Sequence, residues 1–265
     1  MSAGGTWSRV VIAVACLAAT CPLLAAIRIE VREGRPIVDG VYVNDRGPYR
    51  FVLDTGTNVN LMDASLAHAT GMSVGFRMDL ASAVGSTAAT GSDDNTIALG
   101  PVRAGGQRFL FTDLREIRKL WPDVQGVLGQ WFLAGFDYRL DLKGRQLEFG
   151  ARNPDGKHTR FTLRNGRAAV STSLGDLVLD SGADRLVLFG VHAGNDMCNS
   201  SYLTVAGSRL VGTIWRSLVI EGRNLWRGDA VAVPNQAEPG IAGLMPASLF
   251  KSVYVSNSEG FVVLE

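Results

Sequence analysis

Two short patterns, far apart in the chain, limit its fold more than anything else in it. Phe51-Val52-Leu53-Asp54-Thr55-Gly56 and Leu177-Val178-Leu179-Asp180-Ser181-Gly182 each run from a β-prone apolar stretch into an Asp, a small hydroxyl residue and a Gly. A second glycine motif follows each much later: Gly126-Val127-Leu128-Gly129 after the first, Gly240-Ile241-Ala242-Gly243 after the second. A lone Asp-Xaa-Gly is more often a turn than a site. Two copies with the same lead-in and the same late glycines point to an internal duplication. A duplication of this kind sets two carboxylates face to face across a pseudo-twofold axis.

The chain around these motifs is of ordinary globular composition. It has 265 residues, 46% hydrophobic and 19% charged, enough for one large domain or two small ones with real cores. A net charge of +1 gives no support to nucleic-acid binding. The 31 glycines predict a β-rich chain with many turns, and Gly85-Ser86 and Gly91-Ser92 read as loops.

Residues 1–26 have the build of a signal peptide or an N-terminal anchor. Arg9 precedes an uncharged run from Val10 to Ile27, and Ala25-Ala26 offers small residues for cleavage. An exported protein, periplasmic or secreted, follows from this, with membrane attachment if the segment is retained. Cys16 and Cys21 fall inside the segment, so Cys198 alone would remain after its removal, as a packing residue or free thiol. Asn199-Ser200-Ser201 forms a glycosylation tripeptide, a pattern common by chance.

Patterning along the rest predicts strands with few short helices. Asn44 to Pro48 is a turn between strands Val38–Val43 and Tyr49–Leu53. Ala64–Thr70 reads as a short helix, capped by Asp63 and stopped by Gly71. Phe76 to Leu99 fits a hairpin and Asp113 to Trp121 has helical spacing. Tyr138–Leu142 with Gln146–Phe149, and Val253–Val255 with Phe261–Leu264, read as two closing hairpins. The polar stretch Asn153–Lys157 is the expected seam between two lobes, residues 28–152 and 158–265.

The two Asp motifs, with Gly47-Pro48-Tyr49-Arg50 before the first, Thr57 and Ala183 after them and the two glycine motifs, resemble the aspartic proteases, both pepsin-like and retropepsin-like. Within these they are most similar to the retropepsin-like branch of bacterial exported proteins. The resemblance implies an all-β chain of duplicated retropepsin-like β-barrel lobes, joined in a bilobal protein that works as a monomer. It implies an aspartic endopeptidase acting on a peptide or protein substrate, with no cofactor and no metal. Asp54 and Asp180 would be the catalytic pair, supported by Thr55, Gly56, Ser181 and Gly182. Val127-Leu128-Gly129 and Ile241-Ala242-Gly243 would pass beneath the two turns. Two carboxylates held close share one proton, so that one activates water and the other protonates the peptide carbonyl. The alternative on the same fold is an exported protein that binds peptides without cutting them.

Several other residues have plainer readings. His68, His158 and His192 lack metal spacing, Asp93-Asp94 reads as a solvated loop, and Asp137 and Asp141 as solvent-facing. Trp121, Trp131, Trp215 and Trp226 are core or pocket-wall candidates. The expected flap, Leu80 to Thr90, has no aromatic residue, and the second lobe is expected to be shorter and to lack a flap. Asp184 adds a third acid, with Arg185 as its expected partner. Thr57 offers a hydroxyl to its carboxylate where Ala183 offers none.

Overall fold

A computed structural model describes residues 26–82, 85–193, 200–204, 207–234 and 238–265. Residues 1–25 of the expected leader, Cys198 and Asn199 lie outside this range. Among the described residues no helix is long and apolar enough to cross a membrane.

The chain is mostly β, with a few short helices. It opens with an antiparallel meander, β1 (Ile27–Arg32), β2 (Arg35–Val43) and β3 (Arg46–Leu53). β4 (Leu61–Asp63) follows the first Asp turn and leads into a single 3-10 turn, Ala64–Leu66, whose cap Asp63 accepts from Ser65 N. The longer helix expected to Thr70 does not form. Thr70 Oγ1 instead donates to the carbonyls of Leu66 and Ala67, and the chain leaves at Gly71 with φ 68°. β5 (Phe76–Ser82) and β6 (Gly85–Leu99) form the expected hairpin, and β6 also pairs with β7 (Val102–Thr112). Gly91-Ser92 is therefore strand rather than loop. Then come α1 (Arg115–Leu120), β8 (Gly126–Leu128), α2 (Gln130–Leu133) and the hairpin β9 (Tyr138–Asp141)–β10 (Gln146–Phe149).

The second part runs through β11 (His158–Arg164), β12 (Arg167–Thr172), β13 (Gly175–Asp180), β14 (Val187–Phe189), β15 (Ser200–Thr204), β16 (Gly207–Ile220) and β17 (Arg223–Val233). It ends with β18 (Gly243–Pro246), a 3-10 turn at Ala247–Leu249, and the hairpin β19 (Ser252–Ser256)–β20 (Phe261–Leu264). β15 and β16 pair antiparallel, so this half also carries a hairpin, although it was expected to lack a flap.

The expected pair of β-barrel lobes is not what forms. Strands β2, β3, β8, β4, β7 and β6 do close a ring of pairings, yet the ladders joining β8 to β4 and β6 to β2 are only two and three residues long. Two of its joins are these short ladders and the ring is not a barrel; one of its strands, β3, is buried on both faces. In β3, Phe51 and Leu53 enter one apolar cluster and Val52 another. The second half has no such ring: among the described residues no pairing joins β12 to β16. Nor do the halves separate as duplicated lobes. β9 pairs with β19, β11 with β20 and β1 with β10, so one sheet takes strands from both halves. One core runs from Ile29 to Leu264 and takes in both Leu53 and Leu179.

This burial explains the apolar lead-ins. In Phe51-Val52-Leu53 and Leu177-Val178-Leu179 the outer two side chains face the shared core. The middle valines face separate outer clusters. A strand covered on both faces reads as a continuous apolar run rather than an alternating one. Leu53 is fully buried, and Leu53→Ala would cost about 2–5 kcal/mol.

Candidate functional site

Each Asp stands at the C-terminal end of a strand held by a parallel neighbour. β3 pairs with β8 through Phe51↔Gly126, Val52↔Val127 and Leu53↔Leu128. β13 pairs with β18 through Leu177↔Gly243, Val178↔Leu244 and Leu179↔Met245. Gly243, not Gly240, is therefore the counterpart of Gly126, and Gly243-Leu244-Met245 rather than Ile241-Ala242-Gly243 runs beside the second Asp strand. The reason is close packing. A Cβ at Gly126 would lie 2.6 Å from Leu61 O, and one at Gly243 would overlap Val187 O. Gly240 sits in a turn at φ 76°.

The two turns are bonded to each other within one chain. Thr55 Oγ1 donates to Leu179 O (2.8 Å) and Ser181 Oγ donates to Leu53 O (2.6 Å). Ser181 N donates to Thr55 Oγ1 (2.9 Å), and Thr55 N to Ser181 Oγ (3.0 Å). Both side chains are buried, so each hydroxyl satisfies groups that water cannot reach. A Cβ on Gly56 would overlap the Asp180 carboxyl, and a Cβ on Gly182 the Asp54 carboxyl. Only glycine lets the opposite acid come this close.

The carboxylates are fixed by backbone donors. Gly56 N donates to Asp54 Oδ1 (2.8 Å), and Gly182 N (2.7 Å) and Ala183 N (3.0 Å) donate to Asp180 Oδ1. Thr57 also bonds Asp54 through its backbone N–H, as Ala183 bonds Asp180. Asp54 and Asp180 lie close enough for each to shift the other. Burial pushes Asp180 well above the usual carboxylate range, and the nearby Asp54 charge pushes it further. Burial also raises Asp54, while the Gly56 N–H, Asp180, the Thr57 N–H and, least, the Arg35 charge act to lower it. Two carboxyls this close and this buried do not both ionise cheaply.

Several residues of this site carry no motif in the sequence. Arg35 Nε donates to Gly182 O (2.6 Å), Nη2 pairs with Asp184 (3.0 Å), and the guanidinium lies over Trp121, 5.3 Å from the ring centre. Arg35 is the close partner of Asp184; Arg185 stands 4.0 Å away. Arg167 Nη1 donates to Gly56 O (3.2 Å), and its Nη2 pairs with Glu238. The one shared signal is local: each Arg follows a glycine in a strand-joining turn, Glu33-Gly34-Arg35 and Asn165-Gly166-Arg167, with both residues before the Arg at positive φ. Asn60, fully buried, accepts from Gly129 N (3.0 Å), and Gln130 Nε2 donates to Thr55 O (2.9 Å).

The other candidates lie away from the pair or take structural parts. Asp137 is not merely solvent-facing: it accepts from Ser258 N (2.9 Å) and from the Ser256 and Ser258 hydroxyls, pinning the turn after β19. Asp141 accepts from Gly144 N in its own hairpin. Asp93 pairs with Arg108 (2.6 Å). His158 stacks on Phe261. Trp121 is buried and Trp215 exposed. No group of three or more His, Cys, Asp or Glu among the described residues is arranged to hold a metal.

The sequence between β2 and α2 carries the family signal. Residues 40–132 match the aspartyl protease family model. The matched stretch spans Asp54-Thr55-Gly56 and the Gly126–Gly129 motif. The match ends well before Asp180, whose link to the same site rests on the geometry above. Comparison with curated proteins finds no match.

Proposed function

We propose that the chain is an aspartic endopeptidase that hydrolyses peptide bonds with a water activated between Asp54 and Asp180. The observation that carries this reading is the locked pair of turns. Four hydrogen bonds between Thr55, Ser181 and the opposite strands set two acids against each other, with no room for a side chain on Gly56 or Gly182. Such a lock exceeds what a turn needs, and it makes a proton-sharing pair. The ionised member takes a proton from water, the oxygen attacks the peptide carbonyl, and the protonated member donates to the carbonyl oxygen. On collapse of the tetrahedral intermediate the pair gives its proton to the leaving amine and takes one from a hydroxyl of the intermediate, so that it again holds one proton. Both acids come from one chain, so the working unit is the monomer.

The test is cleavage of a mixed peptide library by the full chain at several pH values. Cutting that disappears in Asp54→Asn and in Asp180→Asn supports the reading. Peptide binding without cutting would instead establish the non-cleaving alternative. Activity per molecule that falls on dilution would overturn the monomer.

A further inference from the structure

β10 extends past the start of β1. The two strands pair through Ile27↔Leu147 and Arg28↔Gln146, and Ile29 N donates to Arg145 O (3.0 Å). In an antiparallel ladder, successive residues turn their N–H and C=O to opposite neighbours. Arg145 and Leu147 therefore face β1, and so does Phe149. On the other edge Gly150 N donates to Asp137 O (2.7 Å), as this alternation requires. Phe149 stands opposite Tyr138 of β9, but its N–H and C=O point away from β9. The β1 ladder stops at Ile27, so these two groups have no strand partner among the described residues. Phe149 is 1% exposed, and backbone groups hidden from water need partners.

A groove of about 540 Å³ opens at the same place, lined by Val102, Phe136, Phe149 and Gly150 together with Asn257 and Ser258. Asn257 donates to Leu133 O and Phe136 O, and Ser258 to Asp137, so their donors already serve the fold. What the groove offers is apolar surface beside an open strand edge, which suits an extended apolar segment. The start of β1 lies next to it. Gly100, in the turn that leads to Val102, packs on Ile27: a Cβ there would meet Ile27 Cγ1 at 2.7 Å.

We propose that this groove holds Leu23-Leu24-Ala25 of the same chain, residues outside the described range, as a continuation of β1 along β10. The register decides which residues meet: Ala25 falls opposite Phe149 and Leu24 opposite Gly150. Ala25 then supplies the N–H and C=O that the open edge needs, and the two leucines cover the apolar lining. The segment carries no charge to desolvate. Docked in this way, the uncharged run from Val10 joins the body through a fixed strand rather than a free linker. Cleavage after Ala26 would strip the groove of its occupant. The inference does not depend on the hydrolase reading.

The experiment is amide hydrogen exchange, followed by NMR on the full chain in detergent micelles and read at Phe149 N–H. Ala25→Pro removes the N–H offered to Phe149 O, and Leu24→Asp puts a charge into the groove. Each should speed exchange at Phe149 by about tenfold or more. Exchange at Leu147 N–H, which faces Ile27, should stay as it is in both. In wild type the methyl groups of Leu23 or Leu24 should show magnetisation transfer to the Phe136 ring. In a mixture of differently labelled chains that transfer should stay within one chain. Equal Phe149 rates in wild type and both variants would overturn the inference. So would the absence of the leucine contacts, or contacts that come from a second copy or from detergent. A chain recovered with Ile27 as its first residue would overturn it as well.

Discussion

The turn at Asp54 and the turn at Asp180 have the same frame and different surroundings. Each sits at the end of a strand paired in parallel with a glycine-led neighbour, and each gives its hydroxyl to the other. Behind the first turn stand polar side chains. Asn60 holds Gly129 N, and Gln130 holds Thr55 O. The bond from Leu110 N to Asn60 O matches that from Val231 N to Leu186 O, so the residue corresponding to Asn60 is the apolar Leu186. The outer cluster of the first half includes Trp121, Ile117 and Leu114; that of the second is mostly valines. The first half closes a ring of pairings and the second does not. A shared backbone frame thus fixes where the two acids stand, while the side chains packed around the two turns differ.

The largest expected effect tests whether the two turns act as one. Asp54→Asn and Asp180→Asn should each lower kcat by about a thousandfold or more, and the double variant by little beyond either. Losses that multiply would split the pair. These variants should differ in stability against pH. Asp180 is raised in the folded chain, so it contributes stability below the ordinary carboxylate pKa of about 4, and this is lost as pH rises through its folded value. Melting curves should show Asp180→Asn gaining on wild type as pH rises, with a smaller gain for Asp54→Asn.

Next comes the lock. Thr55→Val and Ser181→Ala each leave buried backbone groups without partners, and each should cost about 2–5 kcal/mol in urea unfolding. Because the four bonds are reciprocal, the two costs should be similar. A cost confined to one side would break the comparison at its frame.

A smaller effect sharpens the contrast between surroundings. Gln130→Leu removes the donor to Thr55 O and should destabilise the chain by about 1–3 kcal/mol. Leu186→Asn, which puts the polar residue of the first turn into the second, should also destabilise, because no partner awaits it there. A second turn that accepts this asparagine without loss would show that the surroundings are interchangeable after all.

The smallest effect lies on the surface of the first half. Asp123 accepts from Arg32 and also pairs with Arg50, which hold its carboxyl well below the usual range. The group is half exposed, so Asp123→Asn should cost no more than about 1 kcal/mol. Its contribution is present above the ordinary carboxylate pKa and vanishes as pH falls through the lower folded value. A melting point equally changed at very low and neutral pH would rule out this ion pairing.

Much of the local structure was legible because it depends on near neighbours. The hairpins at Tyr138–Phe149 and Val253–Leu264 and the helix near Asp113–Trp121 follow from alternation, turn residues and spacing. The glycine register was misread by three residues in the second half. Gly240-Ile241-Ala242-Gly243 looks like Gly126-Val127-Leu128-Gly129, but only packing against Val187 reveals that Gly243 takes the crowded place. The β15–β16 hairpin turns at the Gly207 signal between two strand-like runs. Arg35 and Arg167 escaped because a lone arginine after Gly is indistinguishable from a surface residue until the strand order is known.

The sequence by itself determined the two Asp turns, since an apolar run, a small hydroxyl and a glycine in that order carry their own conformational reasons. It determined a β-rich chain for the same cause: turn glycines and short apolar runs act over a few residues. Tertiary structure alone decided that the strands share one core and one mixed sheet instead of closing two barrels. That outcome depends on which faces of distant strands become buried together, as Leu53 and Leu179 do. Tertiary structure also decided that the two turns lock together, because Thr55 and Ser181 bond to Leu179 and Leu53 across space and not along the chain.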